Sequence, residues 1–174
     1  MKLRHPSERS YGPFILVEVE DGKRGRLWSF QFDGQERSEF DRFQNASKIR
    51  CHPQFDNVLR QLDDLANRSG FREQGFKHER YLDNVTGYPR VTFSDPKEYL
   101  KLRLYCMRFS LRALVLGPGC IKEGRGDAES YPGCESAIQR THYAYRILKQ
   151  AIREGLISIR ELERGTLTTR RFGE

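Results

Sequence analysis

Apolar and polar positions alternate with a period of two along "PFILVEVEDGKRGRLWSFQF". Two strand-like runs flank the turn residues Asp21-Gly22, and the second sets Trp28, Phe30 and Phe32 against Ser29 and Gln31. That pattern predicts an N-terminal β-hairpin. The spacing then lengthens to that of a helix. Residues 36 to 49 predict a polar helix, and "HPQFDNVLRQLDDLANRSG" a clearer one. In the second, Pro53 suits the start, Phe55, Val58, Leu59, Leu62, Leu65 and Ala66 form one apolar face, and Gly70 ends it.

"FREQGFKHERYLDNVTGYPRVTF" is rich in Gly, Asn and Asp, and predicts a loop leading into a short strand near Arg90 to Phe93. The stretch "KLRLYCMRFSLRALVLGPGCIK" returns to period two and predicts two strands turning near Ser110, with a third entering through Ile121. Leu102, Leu104 and Cys106 fall on one face, and Arg103, Tyr105 and Met107 on the other, which is left to meet a ligand. The Gly117-Pro118-Gly119 segment predicts a turn that brings Lys122 near Arg103. Ala137, Ile138, Thr141, Ala144, Tyr145, Leu148, Ala151 and Ile152 make one stripe of a long closing helix capped at Gly155. Ser158 and Glu161 have the spacing of a capping box for a short further helix, and residues 166–174 read as a loose basic tail.

A chain of 174 residues fits one domain. Its net charge of +7 favours an anionic partner. The excess is densest between residues 71 and 112, with 9 basic against 5 acidic side chains. No apolar leader follows Met1 and no run approaches the ~20 apolar residues of a membrane span, so the expectation is a soluble, cytoplasmic protein without membrane contact. Cys51, Cys106, Cys120 and Cys134 are far apart and form no C-x-x-C pair, which supports neither a zinc ribbon nor a redox motif and predicts reduced thiols.

The order of hairpin, helices, antiparallel strands and closing helix, with "FREQGFKHE" at 71–79, "LKLRLYCMRF" at 100–109 and "LVLGPGCIK" at 114–122, resembles the RelE/ParE superfamily of toxins from bacterial type II toxin-antitoxin systems, in its HigB-like branch. The resemblance implies an α+β fold. A small antiparallel sheet packs against N-terminal helices and a long C-terminal helix, with an added N-terminal β-hairpin. It implies one toxin domain over residues 1–174, in which residues 1–50 are an N-terminal extension carrying the hairpin.

The activity implied is that of a ribosome-dependent mRNA endoribonuclease that blocks translation and growth, working without a metal or other cofactor. Its partners would be a cognate antitoxin, mRNA and the ribosome. Such an enzyme drives the ribose 2′-hydroxyl onto the neighbouring phosphate, which requires a base, cations for the developing charge and an acid for the leaving oxygen. On this chain the catalytic set implied is Lys77, His78, Arg103 and Lys122. Arg103 serves as a bidentate phosphate clamp and His78 as base or acid. Tyr105 would stack on a base, with Arg108 and Arg125 on the RNA backbone. No histidine or tyrosine stands near the chain end where HigB-like ribonucleases use one, which leaves His142 and Tyr143 of the closing helix as substitutes. The alternatives are a non-catalytic module of the same fold acting on DNA gyrase, and a mobile-element accessory protein that binds nucleic acid.

Overall fold

The period-two alternation at the N-terminus becomes a hairpin of β1 (Phe14–Asp21) and β2 (Arg26–Phe32), with Phe14 opposite Phe32 and Asp21 opposite Arg26. The computed structural model describes residues 10–73, 76–78, 89–92, 101–124 and 131–174. The tip of the hairpin is docked against the helical layer. The amides of Arg24 and Gly25 both donate to the carbonyl of Ala66, at 2.8 and 3.0 Å. That carbonyl lies in a π-helical turn, Leu65–Ser69, which continues α3 (Phe55–Asp64). Glycine is needed at position 25 because a Cβ there would collide with the ring of Phe71.

The polar stretch after the hairpin forms α1 (Glu39–Asn45), whose N-cap Ser38 accepts from the amide of Asp41, and the single turn α2 (Ser47–Arg50). The rest of the sheet comes from β3 (Lys77–His78), β4 (Pro89–Thr92), β5 (Lys101–Ser110) and β6 (Ala113–Lys122). The chain closes with α4 (Pro132–Arg153), α5 (Ile159–Arg164) and β7 (Arg171–Phe172). Among the described residues the strands form one sheet in the order β3-β4-β5-β6-β2-β1-β7. Every pairing is antiparallel except that of β2 with β6, which runs parallel from Arg26 opposite Ala113 to Ser29 opposite Leu116. The fold is α+β with a long C-terminal helix, as expected.

The hairpin is part of this sheet, with β2 beside the central strand β6. The C-terminal residues are tied down as well. β7 extends the sheet, Phe172 opposite Phe14, and its ring is buried among Phe14, Trp28 and Leu162. Arg171 pairs with Asp33 and Glu174. The capping box of Ser158 and Glu161 forms as predicted, and it fixes α5 so that the Leu162 carbonyl accepts from Trp28 Nε1 at 2.8 Å.

Side chains of β5 and β6 alternate between two apolar layers. Leu102, Leu104, Cys106, Leu114 and Leu116 pack with Phe40, Phe43, Val58 and Leu62 of the N-terminal helices. On the opposite face Met107, Ala113 and Val115 pack with Ala144 and Leu148 of α4. The alternation read from the sequence is therefore right, but the expectation that one face stays open is not. α4 covers it, because its apolar stripe needs a sheet face to bury.

The expected Gly117-Pro118-Gly119 turn is instead a bulge inside β6. Leu104 faces Gly119 and Cys106 faces Leu116, so three steps along β6 match two along β5. A bulge accepts the proline, which has no amide for the ladder, and the glycines, which weaken a regular strand. Gly119 also makes room, since a Cβ there would collide with the Phe43 ring and approach the Arg103 carbonyl at 2.6 Å. The bulge brings Cys120 against α4, where it forms a disulfide with Cys134, their Cα atoms 5.2 Å apart. The prediction of four reduced thiols fails here, because pairing depends on a strand-to-helix approach that spacing does not reveal. Cys51 and Cys106 stand outside this disulfide.

Two expectations follow. Gly119→Ala should lower stability by roughly 2 kcal/mol or more, because both obstructing groups sit in the packed core; denaturant unfolding of the variant measures it. Replacing Cys120 and Cys134 together by serine should cost about 3 kcal/mol on the chain-entropy scale for a loop of this size. The same loss should appear when a reductant is added to the parent and be absent when it is added to the double variant.

Candidate functional site

The residues expected to do chemistry come from β3, β5 and β6, which β4 joins into one stretch of the sheet. Lys77 of β3 lies opposite Arg90 of β4, and Arg90 opposite Tyr105 of β5, which makes one cross-strand row. The next row is Thr92, Arg103 and Cys120, and Lys101 stands opposite Lys122 in the one after it. Three of the four expected catalytic residues, Lys77, Arg103 and Lys122, thus occupy neighbouring rows at one end of the sheet, joined there by Arg90 and Lys101. His78 is opposite Pro89, one position further along. Lys77 and His78 stand on a two-residue strand, where the sequence predicted a loop. Their side chains and the whole of Arg125 lie outside the described residues.

Arg103 and Lys122 do not face solvent as expected: they are 6 % and 8 % exposed. Tyr105, expected to stack on an RNA base, is 3 % exposed and packs with Cys120, Cys134, Ala137 and Ile138 under the first turns of α4. For Tyr105 the cause is α4, which covers that part of the face and is tied to β6 by the Cys120–Cys134 bond.

Arg108 belongs to neither row. Five residues from Arg103, it falls on the other side of the strand, and its Nε donates to the carbonyl of Phe71. Arg112 sits exposed in the β5–β6 turn and gives its carbonyl to the amide of Arg26. Arg103, Arg108, Arg112 and Lys122 are therefore divided among a buried pair, a loop anchor and a turn.

Tyr143, one of the two substitutes for a C-terminal catalytic group, is structural. Its hydroxyl donates to the Gly12 carbonyl at 3.0 Å, and its ring packs against Phe14, Phe32 and Tyr11. His142 is buried, and desolvation together with the neighbouring Arg146 guanidinium holds its pKa below the ordinary value of 6.5. It borders a broad cleft of about 730 Å³ on the outer side of α4, where Arg146, Lys149, Arg153 and Arg171 gather. Sequence reasoning missed this surface, although the recurrence of basic residues every three or four positions after His142 carries the signal.

The histidine sets a pH dependence. Its folded pKa is depressed, so the unfolded chain binds the proton more readily, and the stabilising contribution is present above pH 6.5 and lost as the pH falls below it. The melting temperature of the parent should fall more steeply between about pH 7 and about pH 5 than that of His142→Gln. Parallel melting curves for the two proteins across that range would contradict this.

Comparison of the chain with protein-family models, with curated proteins and with solved structures returned no match.

Proposed function

We propose that this chain is an RNA-cleaving toxin of the RelE/ParE type that acts without a cofactor, with its reactive centre at the β3–β6 end of the sheet. The observation that carries the reading is the cross-strand gathering of Lys77, Arg90, Lys101, Arg103 and Lys122 from four strands into neighbouring rows. Basic residues brought by register to neighbouring positions at one end of a sheet are the residue types that a phosphate backbone calls for. Arg103 and Lys122 are also held largely out of water, where the lower local dielectric strengthens their pull on charge that develops in the transition state.

In the reaction proposed, a base at Lys77 or His78 removes the ribose 2′-hydroxyl proton. The oxygen attacks the adjacent phosphorus, Arg103 and Lys122 bear the added negative charge, and the P–O bond to the 5′-oxygen of the next nucleotide breaks as the other of Lys77 and His78 gives that oxygen its proton. The products are a 2′,3′-cyclic phosphate end and a free 5′-hydroxyl end. A basic centre of this kind also explains the need for an antitoxin, whose acidic and apolar side chains would cover it until release.

A second reading draws on the burial of Tyr105 and on the basic outer side of α4. There the chain is a non-catalytic module that binds nucleic acid or gyrase through Arg146, Lys149 and Arg153.

The two readings part on induced expression. The nuclease should arrest growth and generate RNA ends that carry cyclic phosphate. Arg103→Ala and Lys122→Met should each cut the cleavage rate by about 10²–10³, with circular dichroism confirming that the variants fold. Arg103→Lys should recover only part, since charge returns without the bidentate fork. Arg112→Ala, far along the sheet, should cleave like the parent. Growth arrest with intact RNA, relieved by replacing Arg146, Lys149 and Arg153 but not Arg103, would favour the second reading; unimpaired growth with abundant folded protein would remove both.

A further inference from the structure

Adjacent parallel strands whose following helices lie on opposite faces of a sheet leave a crevice beyond their carboxyl ends, and such crevices bind ligands in open α/β sheets. β2 and β6 are such a pair here. β2 is followed by α1, which packs with Leu114 and Leu116, and β6 is followed by α4, which packs with Val115 and Met107 on the other side. Their pairing stops at Ser29 and Leu116, where the bulge starts and the two strands part. A cleft of about 460 Å³ occupies the fork, with Pro118 and Gly119 on its floor.

The walls of this cleft are strongly basic. Among the described residues, Arg37, Arg42 and Arg140 line it against one carboxylate, Glu39, which is 2 % exposed. Glu39 holds both Arg140 of α4 and Arg42 of its own helix. With its amide turned to satisfy both ends, Gln35 accepts from Arg140 Nη2 at 2.7 Å and Arg42 Nη1 at 3.0 Å while donating to Glu39 Oε1. The network fixes Arg140, whose guanidinium also lies 5.0 Å from the Phe32 ring centre. Among the described residues it leaves two guanidinium charges in excess in the crevice, and the side chain of Arg42 is still half exposed. The N-terminal two turns of α4, which also carry Glu135, contribute Gly133 and Ser136 to the rim, at the end of a helix where the backbone dipole favours an anion. The volume exceeds what a bare phosphate needs, and Phe43 and Ile49 add an apolar wall suited to a base.

We infer that the β2–β6 fork is a binding site for the phosphate of a nucleotide, held by Arg37 and Arg42 beside the fixed Arg140. The site is distinct from the rows of Lys77, Arg103 and Lys122 and does not depend on the nuclease reading. The phosphate comes either from a free mononucleotide or from the 5′ end of an RNA chain.

The test is titration of the full chain with AMP, adenosine, inorganic phosphate and a short RNA carrying either a 5′-phosphate or a 5′-hydroxyl, followed by amide NMR. AMP should bind saturably and shift the amides of Gly119, Gly133 and Ser136, and adenosine should not. Arg37→Gln, exposed and outside the Glu39 network, should weaken AMP severalfold at unchanged melting temperature; adding Arg42→Gln should bring the loss to at least about tenfold, with circular dichroism confirming the fold, because Arg42 also pairs with the buried Glu39. Tighter binding of the 5′-phosphorylated RNA than of AMP assigns the cleft to an RNA end, and equal binding assigns it to the free nucleotide. The inference is overturned if AMP shifts none of these amides, if the double variant binds it as the parent does, or if inorganic phosphate binds as tightly as AMP. The cleavage assay on Arg103 variants reads out separately, so either proposal can fail alone.

Discussion

The parallel pairing of β2 with β6 is the contact on which the rest of the molecule depends. It joins a local hairpin to a sheet segment whose partner residues lie 87 positions away, as in the bond from Ser29 Oγ to the Leu116 carbonyl. The same hydroxyl accepts from the amide of Phe40 and so anchors the start of α1. A parallel pair cannot be closed by a tight turn and requires a long crossover; here α1 to α3 and the strands β3 to β5 supply it. Because the crossover covers one face of the sheet, the other is left to α4 and α5, and a two-layer hydrophobic interior follows.

At the far end of that pairing the same constraint separates the strands. Once the bulge turns β6 away from β2, the polar residues that link the layers have to meet across the gap. Arg140 and the buried Glu39 do so, 101 residues apart in the chain. A buried carboxylate is tolerable only when it is paired and hydrogen-bonded, and Glu39 has both arginines and the Gln35 amide. The arrangement locks α1 to α4 and leaves surplus positive charge among the described residues at the mouth of the crevice.

The second basic group follows a different logic. Lys77, Arg90, Lys101, Arg103 and Lys122 are collected by strand register alone, and α4 with its disulfide lies over part of their face. Of these, Arg103 and Lys122 are held largely out of water, at the cost of access from solvent.

Much of the local structure was legible in the residues themselves. The period-two runs specify β1, β2 and β5, the apolar stripe specifies α4, and Ser158 with Glu161 specifies the start of α5, because these signals depend on neighbours within a few positions. The site was legible only as a set of residue types: Arg103 and Lys122 were expected near one another and are, but their burial was not foreseen. Exposure, the bulge at Gly117-Pro118-Gly119, the Cys120–Cys134 bond and the Glu39–Arg140 pair were decided by which helix lies on which face of the sheet. A period of two divides a strand into two faces without saying whether one or both are covered, and that choice rests on contacts between residues far apart in the chain.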